Sequence, residues 1–179
     1  MVERQDDSID GVSPGARLAA GIIAGLIAGI LVLGVMMAYA NATGAGLTMP
    51  LKALGAFVYG VESLVAGPQA MVVGALIQLG FSILLGILFA LCMSRATSTI
   101  AALFAGIAVG IVIWVAMDLL VLPFENPTME ARIALMPLAY FVAHLMYGIG
   151  LATTPLFIRM FSRDSNHRHR PHATETQPV

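Results

Sequence analysis

Ala24–Met37 reads AGLIAGILVLGVMM and Ala105–Asp118 reads AGIAVGIVIWVAMD. The second stretch echoes the first, with Ala, Gly, Gly, Ile and Met recurring at matched positions. Each lies in an apolar run long enough for a helix to cross a hydrocarbon core about 30 Å thick, which takes about 20 residues. Working outward, four stretches lack Asp, Glu, Lys and Arg altogether: Leu18–Ala40, Ala70–Met93, Ala96–Met117 and Ile133–Ile158. An open strand in lipid leaves backbone groups unpaired, so helices are the expected solution. The runs also lack the polar alternation of a membrane barrel.

Composition agrees. The chain has 179 residues, 59% hydrophobic and 11% charged, with a mean hydropathy of +0.89. Soluble domains carry about 25% charged residues, so this chain has too few to cover a water-facing surface. A net charge of −1 gives no footprint for nucleic acid. The single cysteine, Cys92, excludes an intrachain disulfide and a cysteine-based metal cluster. The expected fold is all-α and integral to the membrane. Four transmembrane helices over about 18–40, 70–93, 97–122 and 133–159 form a domain at 17–161, with disordered cytoplasmic tails at 1–16 and 162–179.

An even number of spans puts both termini on one side. That side holds Arg4, Arg17, Arg95, Arg159, Arg163, Arg168 and Arg170, and the other holds Lys52 and Arg132. By the positive-inside rule both termini are cytoplasmic, in a cell (inner) membrane. Ala38-Tyr39-Ala40 has the form of a signal-peptide cleavage site, but the run before it exceeds an ordinary h-region of about 7–15 residues, so it reads as a retained span. The histidine- and arginine-rich stretch His167–His172 reads as a tail touching anionic headgroups.

The echo continues into the outer loops, where Thr48-Met49-Pro50-Leu51-Lys52 parallels Thr128-Met129-Glu130-Ala131-Arg132. Two repeated hairpins, related by an axis along the membrane normal, are therefore expected. The first hairpin carries an insertion. Residues 50–65 read as a short outer helix, re-entrant or interfacial, with Thr48 as its N-cap. The tight connection Ser94–Ser98 predicts that the second and third spans are antiparallel neighbours.

Small residues recur every fourth position. Gly21, Gly25 and Gly29 do so in the first span, Gly86 with Ser82 and Ala90 in the second, Gly106 and Gly110 in the third, and Gly148 with Ala152 in the fourth. Each set shares one helix face, where backbones can approach closely. Packing inside the bundle and homodimerisation through the first span both follow from that pattern.

Polar residues at mid-membrane depth are candidates for function. Gln78 and Ser82 share a face of the second span, and Tyr140, His144 and Tyr147 share a face of the fourth. One reading is a functional polar site; the other is a hydrogen bond from His144 to Gln78 or a tyrosine that fixes the bundle, worth about 1 kcal/mol. Asp118 and Glu125 make a candidate acidic site on the outer face, or else are carboxylates at the membrane interface. Seven methionines (Met36, Met37, Met49, Met71, Met117, Met129 and Met136) fall in the outer half. Thioethers bind Cu(I), but methionine also fills gaps. No resident metal or cofactor is expected.

The run Gln78-Leu79-Gly80-Phe81-Ser82 followed by Phe89-Ala90, the proline after the third span and Ala143-His144-Leu145 resemble the YagU-type bacterial inner-membrane proteins. These are small four-helix proteins of unassigned biochemical function. The resemblance spans roughly residues 70–160 and implies the same architecture. That family carries a histidine facing the one matched by His144; here the position is Gln78, so the resemblance implies no His–His pair for metal or proton chemistry.

No nucleotide loop or catalytic set is present, so a non-enzyme is expected. The leading expectation is a structural or accessory subunit, packing in lipid against other membrane subunits or itself. The alternative is a small oligomeric transporter or channel for a solute or ion, with Gln78 and His144 along its path.

Overall fold

The computed structural model describes residues 12–168 and contains no strand among them. Helix α1 spans Pro14–Ala42, α2 Met49–Tyr59, α3 Pro68–Cys92, α4 Thr99–Ala116, α5 Leu122–Glu125, α6 Pro127–Ile133, α7 Pro137–Leu151 and α8 Thr154–Arg168. Four stretches are long and apolar enough to cross a membrane: Pro14–Ala42, Pro68–Cys92, Thr99–Glu125 and Pro137–Ser162. Helix therefore occupies residues 14–16 and 162–168, which the sequence reading gave to the tails. The expected disorder of residues 1–11 and 169–179, including His169 and His172, lies outside the described residues.

Local chemistry sets the helix ends. Ser13 caps α1, its Oγ accepting from the Ala16 amide at 3.2 Å, and Pro14 occupies the first turn. Ser98 caps α4 in the same way, accepting from Ala101 at 3.1 Å. After α1 the chain turns on Gly44 (φ 77°) and Gly46 (φ 94°), in the left-handed region that glycine enters without penalty. Thr48 does not cap α2: its backbone is already helical (φ −87°, ψ −6°), which carries its hydroxyl away from the following amides. Beyond α2, a 3-10 turn at Gly60–Leu64 leads back to α3.

Prolines divide what composition reads as continuous spans. Pro123 offers no amide, and the helix before it opens into a π-helical turn at Met117–Val121, closed by Leu122 N–H on the Met117 carbonyl. Pro137 starts α7 rather than sitting inside it. At the other end, Pro155 has no amide to give the Leu151 carbonyl four residues back. Thr154 Oγ1 donates to the Leu151 carbonyl and Thr153 Oγ1 to that of Gly150, both at 2.7 Å, so the chain bends there from α7 into α8. The helix expected over 133–159 is thus three pieces: the end of α6, then α7 and α8.

Glycine decides which helices meet. A Cβ on Gly21 would stand 2.6 Å from Ile87 Cα, and one on Gly25 would strike the Ser82 carbonyl. Gly86 faces Gly21 and Gly25 in return, so α1 and α3 touch backbone to backbone. The same holds for α4 and α7, where Gly106 meets Gly148 and Gly110 meets the His144 carbonyl. Trp114 and Phe141 add an edge-to-face contact at 5.0 Å across that seam. A third seam joins α1 to α7, where a Cβ on Gly150 would lie 2.5 Å from Ala28 Cα.

The helices therefore run in the order α3, α1, α7, α4. The expected pairing of the second and third spans is not found: α3 and α4 form no common seam, although only a short loop separates them. The glycine faces of both helices are already used on other partners. At the end of the bundle near the termini, Arg17 donates to the Met93 carbonyl and Arg159 to those of Arg95 (3.2 Å) and Thr97 (2.6 Å), holding the short loop. At the opposite end α2 packs on the first turns of α3, with Gly55 against the Ala70 carbonyl and Gly74 against that of Leu51. Asn126, 1% exposed, ties α2 to α6: its side-chain amide donates to the Ala53 carbonyl and its Oδ1 accepts from the Met129 amide, both at 2.9 Å.

Candidate functional site

Tyr140, His144 and Tyr147 recur at helical spacing on α7 and are all buried. They face the half of α3 that carries Gln78 and Ser82. All five residues line one cavity of about 390 Å³ in the half of the bundle away from the termini. Its back wall is α1 and α7, from Val32 to Thr43 and from Tyr140 to Tyr147. Its sides are α3 and α4, contributing Ile77–Leu85 and Ile113–Val121. Helices α2 and α6 cover its end through Ala53, Leu54, Met129 and Ile133. The cavity therefore occupies the space that a seam between α3 and α4 would have filled. Exposed Phe81 and Leu135 mark its rim.

The polar residues do not bond in the expected pairs. His144 Nδ1 lies 2.9 Å from the Tyr140 carbonyl. A carbonyl only accepts, so Nδ1 carries the hydrogen and Nε2 of the neutral ring keeps its lone pair. The two rings meet edge to face at 4.4 Å. Gln78 Nε2 donates to Ser82 Oγ at 3.2 Å rather than to His144, and Tyr147 O–H donates to the Ser82 carbonyl at 3.2 Å. Tyr147 thereby links α7 to α3 across the back of the cavity. Tyr140 is 2% exposed, and its hydroxyl has no partner.

The two expected acidic residues are not brought into one site. Asp118 is half-buried on the π-helical turn, between Met117 and Val121, which do line the cavity. It lies within electrostatic reach of both Tyr140 and His144. Glu125 is exposed at the end of α5. Among the described residues no three His, Cys, Asp or Glu side chains are grouped to hold a metal ion. Of the seven methionines noted in the sequence, Met36, Met49, Met117, Met129 and Met136 line the cavity, whereas Met37 and Met71 do not.

Two residues of this region escaped the sequence reading. In the sequence Arg132 figures only in the charge balance and the outer-loop echo, yet it lines the cavity from α6, and its Nε is buried without a hydrogen-bond partner among the described residues. Asn126 anchors the cover. Its signal was legible, since Asn before Pro127 is a favoured N-cap pairing, and the Asn126 side chain does accept from Met129.

These features define an all-helical, multi-pass membrane protein with a cavity inside its bundle. The chain belongs to a family of unknown function, DUF6789, whose model matches residues 16–167. No curated protein and no solved structure matches it.

Proposed function

We propose that this protein binds a small, largely apolar molecule inside the outer half of the bundle and moves it within or across the inner membrane. The observation that carries this reading is the cavity flanked by α3 and α4, two helices with no seam between them. Its volume, about 390 Å³, lies in the range of about 300–1,000 Å³ typical of small-molecule sites. Its lining is mostly apolar with a few polar groups, the usual composition of such sites. Five methionines give it an adaptable surface. We take both termini as cytoplasmic, which sets the cavity in the outer leaflet. In this reading, the two hairpins descend from a duplication whose symmetry is broken where α3 and α4 fail to pair. A relation of architecture to the YagU-type proteins belongs to the same proposal.

The test is saturable binding of a neutral solvatochromic dye to the protein in lipid nanodiscs. Ala53→Trp fills the cavity from α2 and should abolish it. Dye signal no greater than in empty nanodiscs would refute the reading. An accessory-subunit role is the second reading. It draws on the Thr99–Glu125 span, most of whose apolar surface is not buried within the bundle, leaving a broad face for a partner helix. An unlike membrane protein that co-purifies stoichiometrically in mild detergent would favour it.

A further inference from the structure

Among the described residues that line the cavity, Arg132 is the only one with a permanent charge, and none is a carboxylate. Its Nε is buried and unpartnered, in apolar surroundings where an unpaired cationic donor is costly. Tyr140 supplies a second unpartnered group, buried and lining the same space. The order of these groups is fixed by the fold. Arg132 precedes α7, Tyr140 stands in its first turn, and His144 lies about 6 Å deeper at 1.5 Å per residue. Beyond and around them the walls are aliphatic and thioether.

We propose that the occupant is a single-chain carboxylate, with its headgroup on Arg132 and Tyr140 and its alkyl chain in the cavity. The inference rests on the reading of the cavity as a ligand site and adds the chemistry of the ligand. A carboxylate satisfies the Arg132 N–H and accepts from the Tyr140 hydroxyl, neutralising the guanidinium. The cavity is small for a two-chain lipid, which is why a single chain is specified.

Competition against the neutral dye in nanodiscs tests it, with dodecanoate, dodecanol and dodecylamine as probes. Dodecanoate should displace the dye about 10- to 100-fold more tightly than dodecanol, the span expected of a charge-assisted hydrogen bond. Dodecylamine should compete worst. Arg132→Gln should erase the preference for dodecanoate while dye binding persists, Arg132→Lys should keep much of it, and Tyr140→Phe should reduce it severalfold. Equal displacement by dodecanoate and dodecanol, or an unchanged preference in Arg132→Gln, would overturn the proposal and leave the cavity reading intact. Absence of saturable dye binding would remove the cavity reading and this inference together. A two-chain phosphatidic acid that competes better than dodecanoate would overturn the single-chain assignment.

Discussion

Gly110→Ala is the sharpest probe of how this bundle is held. The added methyl points at the His144 carbonyl of α7, with Gly148 N at 3.3 Å on its other side. Neither neighbour can rotate away, because both are backbone. Ordinary carbon–oxygen contacts lie at about 3.3–3.6 Å, so the helices must separate by roughly 1 Å at that level. Overpacking of this kind costs about 1–3 kcal/mol. The gain in helix propensity on replacing glycine returns about 0.5–1 kcal/mol. A net loss of about 1–2 kcal/mol is expected. Gly34→Ala is the matched control, since nothing lies within 4 Å of the methyl it adds. It should be neutral or stabilising by up to about 1 kcal/mol. Reversible unfolding in mixed micelles, or steric trapping in bicelles, reads both variants on one scale. Equal stabilities would refute the claim that backbone contact, and not side-chain packing, joins α4 to α7. Gly110→Ala should also displace His144 and weaken dye binding in the cavity, whereas Gly34→Ala should not.

Asn126→Ala removes two buried side-chain hydrogen bonds and leaves the Met129 amide only its backbone bond to the residue 126 carbonyl, so a loss of about 1–3 kcal/mol is expected in the same assay, together with faster hydrogen exchange in α2. A neutral result would show that α2 is held by packing alone. Tyr147→Phe deletes one interhelical bond to the Ser82 carbonyl and should cost only about 0.6 kcal/mol, rising to about 1.7 kcal/mol at most. Cu(I) loading followed by metal analysis should leave less than one equivalent on the purified protein, because the cavity methionines are read as a flexible lining; stoichiometric retention that depends on Met117 and Met136 would contradict that.

The four spans were legible because composition alone sets them. Their interruptions were written in Pro123, Pro137 and Pro155, but an apolar run averages over a single proline, and the threonines beside Pro155 look like ordinary small residues until their hydroxyls meet backbone carbonyls. The short Ser94–Ser98 loop misled for a different reason. Loop length limits how far two helix ends can part, not which faces their helices bury; Gly86 of α3 faces α1, and Gly106 and Gly110 of α4 face α7. Counting residues was enough to bring Gln78 and His144 to similar depth, and to put Ser82 on the face of Gln78 and Tyr140 and Tyr147 on that of His144. The cavity between them was not legible, since it depends on two consecutive spans, α3 and α4, forming no seam. Arg132 was hidden likewise: its place in the site depends on which groups stand within reach, and sequence spacing carries no such information.

The seams have a mechanical consequence. With α1 against α3 and α4 against α7 joined backbone to backbone, each pair is a stiff board, and the α1–α7 seam is the spine that binds them like the covers of a book. The cavity lies between the covers. One edge is clasped by Arg159 on the loop between α3 and α4, the other by Asn126 on α2. Any widening toward the lipid must turn on the spine and strain one clasp or the other, so two residues far apart in the chain govern how far the covers part.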